Sequence, residues 1–281
     1  MVVVPAPGAG PGFWAGAPSA ALAADGTVVI AYRLRSPDDR GARVAVATSH
    51  DGVHLEAVAM LEKRRFAAES LERPALVRLD RGWRLYMSCA MPGTKHWRID
   101  ALDALEPAAF ADATPRTVFA GSDHVGVKDP VVRRHGDGWE AWICCHPLDE
   151  PGEEDRMTTA YATSGDGLTW RWHGDALAGR PGMWDARGAR VTAVLPDGSA
   201  SYDGRASKEE NFSERTGVAL PGSARGTLTA VGDRPVADVR YLDLVPMPDG
   251  TLVAYYERPN ADGSHDLCAE RFGPRAVSLS P

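Results

Sequence analysis

Cysteine is scarce in this chain. Only Cys89, Cys144, Cys145 and Cys268 occur among 281 residues, with no Cys-x-x-Cys spacing, which excludes a disulfide scaffold and a zinc ribbon. Neighbours on a strand point to opposite faces, so Cys144 and Cys145 are poorly placed to pair, and free, mostly buried thiols are expected. Long apolar runs are missing too: no stretch approaches the roughly 18 residues a membrane span needs, so no membrane partner is expected. The opening Met1-Val2-Val3-Val4-Pro5 lacks a charged n-region and is not read as a secretory signal; the expected location is cytoplasmic. Basic runs are absent, and the formal charge of −7 argues against a nucleic-acid partner. Helical patterning is scarce as well, with residues 100–110 the one short candidate.

What remains is a chain 44% hydrophobic and 25% charged, long enough for a sizeable core and punctuated by turns. Asp25-Gly26, Asp80-Arg81-Gly82, Asp137-Gly138, Asp197-Gly198 and Asp249-Gly250 each separate two strand-like runs, and their glycines are 56, 56, 60 and 52 residues apart. Asp-Gly suits tight hairpins because glycine accepts positive φ and aspartate tolerates it. Ala17-Pro18, Arg73-Pro74 and Asp129-Pro130 keep the same register, with prolines 56 and 56 residues apart; the same step then lands at Arg187-Gly188 and Arg240-Tyr241. Second strands are expected at 27–33, 83–89, 139–145, 199–205 and 251–257, and third strands at 42–48, 96–102, 157–163, 215–220 and 266–272. Fourth strands are plainest at 53–61 and 168–172. The phrases Thr48-Ser49-His50-Asp51-Gly52 and Thr163-Ser164-Gly165-Asp166-Gly167, 115 residues apart, mark two third-to-fourth turns. Five four-stranded antiparallel units of about 56 residues predict an all-β fold, a five-bladed β-propeller forming a single domain over 1–281. Its blades are expected near 17–70, 71–126, 127–185, 186–238 and 239–281.

In a propeller the first strands line the central channel and the second strands return antiparallel. First-strand starts, second-strand ends and the loops after them therefore gather at one mouth. Those positions are unusually ionic. First-strand starts hold Ala17 and Ser19, Glu72 and Arg73, Lys128 and Asp129, Arg187 and Arg190, then Arg240, Tyr241 and Asp243. Second-strand ends hold Arg33, Cys89, Cys145, Arg205 and Glu257, with His146 and Asp203 nearby. The loop after Arg205 carries Glu214, and the last such loop carries His265. Candidate acids and bases are thus Glu72, Asp129, Asp203, Glu214 and Glu257. Candidate ligand-binding groups are Trp14, Arg33, Lys128, His146, Arg187, Arg205, Arg240, Tyr241 and His265, with arginine suited to bidentate contacts. A plainer reading stays open: arginines and carboxylates pair around the channel and hold the blades together. Asp25, Asp137, Asp197 and Asp249 are turn formers, Asp51 and Asp166 turn caps, and Trp83, Trp139, Trp142, Trp170 and Trp172 blade packing. Trp184, like Trp14, precedes a first strand and is placed at the mouth. No ligand-spaced histidine motif is present, so neither metal nor cofactor is expected.

Val127-Lys128-Asp129-Pro130-Val131-Val132 followed by Asp137-Gly138-Trp139-Glu140-Ala141-Trp142 resembles the Asp-Pro strand, hairpin and aromatic strand of the five-bladed glycosidases. Those are glycoside hydrolase family 43 and its relatives in family 32. Leu71-Glu72-Arg73-Pro74-Ala75-Leu76 and the strand from Trp83 resemble their Glu-x-Pro segment. The resemblance implies carboxylate acid/base cleavage of a glycoside, with Glu72 as proton donor and Asp129 as tuning or orienting group. Where it implies a first-blade Asp-Pro supplying base or nucleophile, the chain has Ala17-Pro18-Ser19, leaving Asp203, Glu214 or Glu257 to supply that carboxylate. The expected function is a glycosidase-like hydrolase acting on a small or anionic glycoside. The alternatives are a non-hydrolytic carbohydrate-binding propeller, a lyase, isomerase or cyclase using the ionic pocket, and a protein-interaction scaffold. The expected partner is a small-molecule or carbohydrate substrate. A closed ring needs no second copy to cover its edges, so a monomer is expected, with oligomeric state otherwise open.

Overall fold

The structure, a computed structural model, describes residues 1–273; the expected end of the last blade, 274–281, lies outside the described residues. The chain is all-β. Strand β1 is Val2–Val4. A first antiparallel meander follows: β2 (Trp14–Leu22), β3 (Val28–Arg35), β4 (Arg43–Ser49) and β5 (Glu56–Glu62). The second is β6 (Leu71–Arg78), β7 (Trp83–Ala90), β8 (Trp97–Ala104) and β9 (Arg116–Phe119). The third is β10 (Val125–His135), β11 (Gly138–Pro147), β12 (Thr158–Ser164) and β13 (Arg171–Leu177). The fourth is β14 (Gly188–Val194), β15 (Ala200–Arg205), β16 (Arg215–Pro221) and β17 (Leu228–Val231). Last come β18 (Arg240–Pro246), β19 (Leu252–Pro259) and β20 (His265–Phe272), whose outer partner is β1, antiparallel to β20. The second, third and fourth meanders are separate four-stranded sheets. The first is joined to the last by one parallel pairing, Trp14 with His265. Strand β2 packs on β6, β6 on β10, β10 on β14, β14 on β18, and β18 back on β2. Among the described residues no helix is long and apolar enough to cross a membrane.

Residues 100–110 are not helical. Ile99, Ala101 and Leu102 are buried in β8, and only Pro107–Ala111 makes a short 3-10 turn. The fourth strands begin three residues later than expected, because the turn chemistry runs on. The Asp51 carboxylate accepts the backbone N–H groups of Val53 and His54, and Asp166 accepts those of Leu168 and Thr169. These turns also couple neighbouring sheets. The Tyr86 hydroxyl donates to the Gly167 carbonyl at 2.7 Å and Tyr255 to Gly52 at 2.6 Å. Apolar cores fill the junctions: Val44, Leu61, Phe66, Leu71, Leu85 and Met87 join the first two meanders, and Trp142, Tyr161, Val191 and Tyr202 the next pair along. All four cysteines are free and buried.

Arg73 of β6 has an unusual place in this arrangement. Its Nε donates to the Pro18 carbonyl of β2 at 3.1 Å, Nη1 to Pro130 of β10 at 3.4 Å and Nη2 to Thr192 of β14 at 2.6 Å. Asp243 of β18 lies 3.9 Å from Nη2. One buried guanidinium thus reaches the first strand of every other meander.

Candidate functional site

Each of the five first strands carries a β-bulge: between Gly16 and Ser19, Leu71 and Pro74, Lys128 and Val131, Val191 and Ala193, and Arg240 and Asp243. Bulges bend a strand and re-aim its side chains. Three bulge residues that are not glycine adopt left-handed backbone, Ala17 at φ 50°, Asp129 at φ 49° and Tyr241 at φ 54°. Such conformations persist only where surrounding contacts over-determine them, and they concentrate at functional sites. At Asp129 the contacts are visible. Ser88 Oγ accepts its backbone N–H at 2.8 Å, and its carboxylate accepts the Arg73 N–H at 3.2 Å.

The bulges turn an alternating belt of charge inward. Arg33 grips Glu72 with Nη1 and Glu257 with Nη2, the latter at 3.2 Å. Glu257 also meets Arg240 Nη1 at 2.8 Å and His265 Nδ1 at 2.7 Å. Arg240 Nε lies 2.8 Å from Glu214 but off the hydrogen-bonding direction, so that pairing is electrostatic. Glu214 accepts Arg205 Nη1 at 2.6 Å; Arg205 continues to Asp155, which also binds Arg187. A second cluster centres on Arg190, whose Nη1 meets Asp129 at 3.0 Å and whose Nη2 meets Asp203 at 2.6 Å; Lys128 stands 3.6 Å from Asp129. The Tyr241 hydroxyl accepts from Arg190 at 2.9 Å, while Arg190, Arg240 and Arg33 lie over its ring. That ring joins the two clusters. The five carboxylates are almost inaccessible, from 0% exposed at Asp129, Asp203 and Glu257 to 4% at Glu214.

Burial alone would push every one of these carboxyls up; the neighbouring cations decide the outcome. At Asp129, Lys128 and Arg190, with His146 and Arg73, outweigh burial and hold the group at about 2. Arg240, Arg190 and Arg205 do the same for Glu214, and Arg240, His265 and Arg33 for Glu257, both at about 2. Asp203 goes the other way. Burial dominates there, against Arg190 and one backbone N–H, with Glu214 as a like charge, and its carboxyl is raised. Two aspartates on one guanidinium are thereby driven apart. Asp243 is raised to about 6 by burial, with Arg73 as its main opposing charge. Burial and Lys128 push the His146 imidazole down to about 3, so it is neutral; its Nε2 stands 3.6 Å from Cys144 Sγ and its Nδ1 donates to the Glu154 carbonyl. Burial pushes the Cys144 thiol up to about 12, too high for a thiolate nucleophile at neutral pH.

Glu72, Asp129, Asp203, Glu214 and Glu257 are thus brought together with Arg33, Lys128, Arg205, Arg240, Tyr241 and His265. Trp14 joins them, stacked on His265 at 4.8 Å with Arg240 over its ring at 5.4 Å. Arg187 reaches the belt only through Asp155, and His146 lies to one side near Lys128. Trp184 is not at this belt: it stacks on Tyr202 at 5.7 Å within the fourth meander's core. The guanidiniums of Arg33, Arg187, Arg205 and Arg240 are already engaged by the chain's own carboxylates. The repeat register marks the positions of Arg73 and Arg190 without giving either a role; Asp155 and Arg35 lie outside it, and Phe212 sits unremarked in the loop after Arg205 that carries Glu214. A separate cavity of 710 Å³ is lined by Phe119, Val127, Cys145, Trp170 and Trp172 among others.

No protein-family model and no curated protein matches the chain. Solved structures do. A family 130 protein, described as one of the glycoside hydrolases among mannoside phosphorylases that target β-1,2 mannosidic linkages in Candida mannan, aligns at TM-score 0.69 and 16% identity over 94% of this chain and 85% of its own. A thermostable family-43 glycoside hydrolase aligns at TM-score 0.69 and 15% identity, covering 92% of this chain and 89% of that one. A β-1,2-mannobiose phosphorylase from Listeria innocua aligns at TM-score 0.65 and 16% identity, covering 92% and 89%. At such identities the likeness establishes the fold, and it is the fold of the glycosidases that the Asp-Pro and Glu-x-Pro segments resemble.

Proposed function

We propose that the chain is a closed five-bladed β-propeller that cleaves a small or anionic glycoside at the mouth of its channel. The unbroken cycle of first-strand contacts supports five blades. The chemistry rests on one observation: the Glu257 carboxylate lies against the backbone of Gly16, beside Ala17. A Cβ placed on Gly16 would come within 2.2 Å of Glu257 Oε2. In this reading the last blade supplies the carboxylate that the resemblance implies in the first. Glu257 and Glu72 grip the two tips of one guanidinium, that of Arg33, so a pair of carboxylates flanks a single side chain, as carboxylate acid/base cleavage requires a pair. In this reading Glu257, kept ionised by Arg240, His265 and Arg33, is nucleophile or base. Glu72 takes up a proton from solvent as the bound sugar displaces its contact with Arg33 and passes that proton to the leaving oxygen, and Asp129 orients the site through Arg190. A bound sugar replaces part of the arginine pairing with its hydroxyls.

Aryl glycosides and β-1,2-mannobiose, each with and without inorganic phosphate, test this on wild type, Glu72→Gln, Glu257→Gln and Asp129→Asn. Loss of about 100-fold or more in kcat for the two glutamate variants is expected. Turnover unchanged in both removes the assignment. A second reading, a carbohydrate-binding propeller without cleavage, draws on the pairing of all five carboxylates with arginine, which leaves none free. Calorimetric sugar binding with no turnover of any substrate would favour it.

A further inference from the structure

One half-buried guanidinium beside the belt has no carboxylate. Among the described residues Arg33, Arg73, Arg187, Arg190, Arg205 and Arg240 each face a carboxylate, and Arg35, at the end of β3, faces none. Its Nε is buried without a hydrogen-bond partner. Its guanidinium carbon lies over Trp14, 4.1 Å from the ring centroid, and 5.4 Å from that of Phe212. Stacking engages the face of a guanidinium and leaves its edge, where the donors point, for a planar or tetrahedral anion. Burial first, then Arg33 and Arg40, lower Arg35 to about 10: its surroundings are cationic and lack a counter-charge. Arg40, 54% exposed, touches Glu72 only at 3.8 Å.

Phe212 closes over this place. It sits in the loop between β15 and β16, yet its ring packs 5.2 Å from Trp14 of the first meander. Its backbone is left-handed at φ 76°, an outlier for a bulky side chain, and 40% of the residue is exposed. A strained, exposed aromatic carried on a loop packs here on Trp14 and Arg35, so it can swing away without unfolding a sheet.

We propose that Arg35 receives the anionic group of the ligand, a carboxylate or phosphate, at its free edge, and that Phe212 is the lid over it. The proposal rests on the mouth being a carbohydrate site but not on cleavage, so binding is the readout. Glucuronate, galacturonate, mannuronate and the corresponding hexose 6-phosphates are titrated calorimetrically beside their neutral hexoses and inorganic phosphate. Wild type, Arg35→Gln, Arg35→Lys and Phe212→Ala are compared, with thermal melts confirming that each variant is folded. At least one anionic sugar binds about 10-fold or more tighter than its neutral parent. Arg35→Gln removes that advantage and spares neutral binding; Arg35→Lys keeps part of it. Phe212→Ala speeds association and release, followed by tryptophan fluorescence. Preference for uronates identifies a carboxylate; competition of hexose phosphates by inorganic phosphate identifies a phosphate site. Equal affinity for charged and neutral sugars, no binding of either, or an advantage that survives Arg35→Gln overturns the proposal. Anionic binding with no turnover counts against the catalytic reading alone.

Discussion

Replacing Arg73 with methionine keeps the side chain's length and removes its donors and charge. Three carbonyls, on β2, β10 and β14, lose a charge-assisted hydrogen bond, and Asp243 loses its main counter-charge. Breaking a buried network on one side leaves the other side uncompensated, which costs about 3–5 kcal/mol. In a chain of this size that lowers Tm by on the order of 10 °C. The loss carries a pH signature. Asp243 is raised to about 6 in the folded protein from 3.8, so the folded state binds the extra proton and stability falls as pH rises between those values. Without Arg73 the carboxyl is driven higher still, and the fall extends past pH 6. The difference between wild type and Arg73→Met therefore widens from pH 6 to 8, and Asp243→Asn in the same background flattens it. Calorimetric melts at several pH values measure both effects. A variant melting within 2 °C of wild type, or a difference constant with pH, would refute the central role given to Arg73.

Acid should unfold the protein through the belt. Asp129, Glu214 and Glu257 sit at about 2 against ordinary values of 3.8 for Asp and 4.5 for Glu, so their contribution is present above the ordinary values and lost as pH falls toward 2; circular dichroism of Asp129→Asn should show a shallower acid limb. Tyr255→Phe removes the donor to Gly52 and should cost about 1 kcal/mol in urea unfolding. Gly16→Ala drives a methyl into Glu257 and should abolish turnover in the glycoside assay while costing about 1–3 kcal/mol. The four buried thiols should resist alkylation in native buffer and all react in guanidinium, as read by mass spectrometry.

The repeat was legible because Asp-Gly hairpins are local: two residues decide each turn, and the 56-residue spacing follows from counting them. That Glu72, Arg205 and Glu257 fall in one ionic belt was legible for the same reason, since strand alternation and a hairpin suffice to bring such positions to one end of their sheets. Pairing was not. Arg190 joins Asp129 and Asp203 across 61 and 13 residues, and that choice depends on bulges that turn Asp129 and Tyr241 into left-handed backbone. Glycine would have flagged such a bend; aspartate and tyrosine do not. Glu257 beside Gly16 was equally hidden, because the contact exists only after the first and last sheets meet. The helical reading of 100–110 failed where tertiary burial of Ile99, Ala101 and Leu102 outweighed local propensity.

The sheet of β18, β19 and β20 borrows its fourth strand from residues 2–4. During synthesis that short segment is made well before its partner and waits, unpaired, for a strand more than 250 residues further on. Until then Glu257 and Arg240 are absent, Arg33 has only Glu72, and the growing chain holds charges with no place to go. Docking of β1 on β20 is thus the last stitch, and folding intermediates caught before it should be salt-sensitive, easily digested and prone to exchange edges with one another.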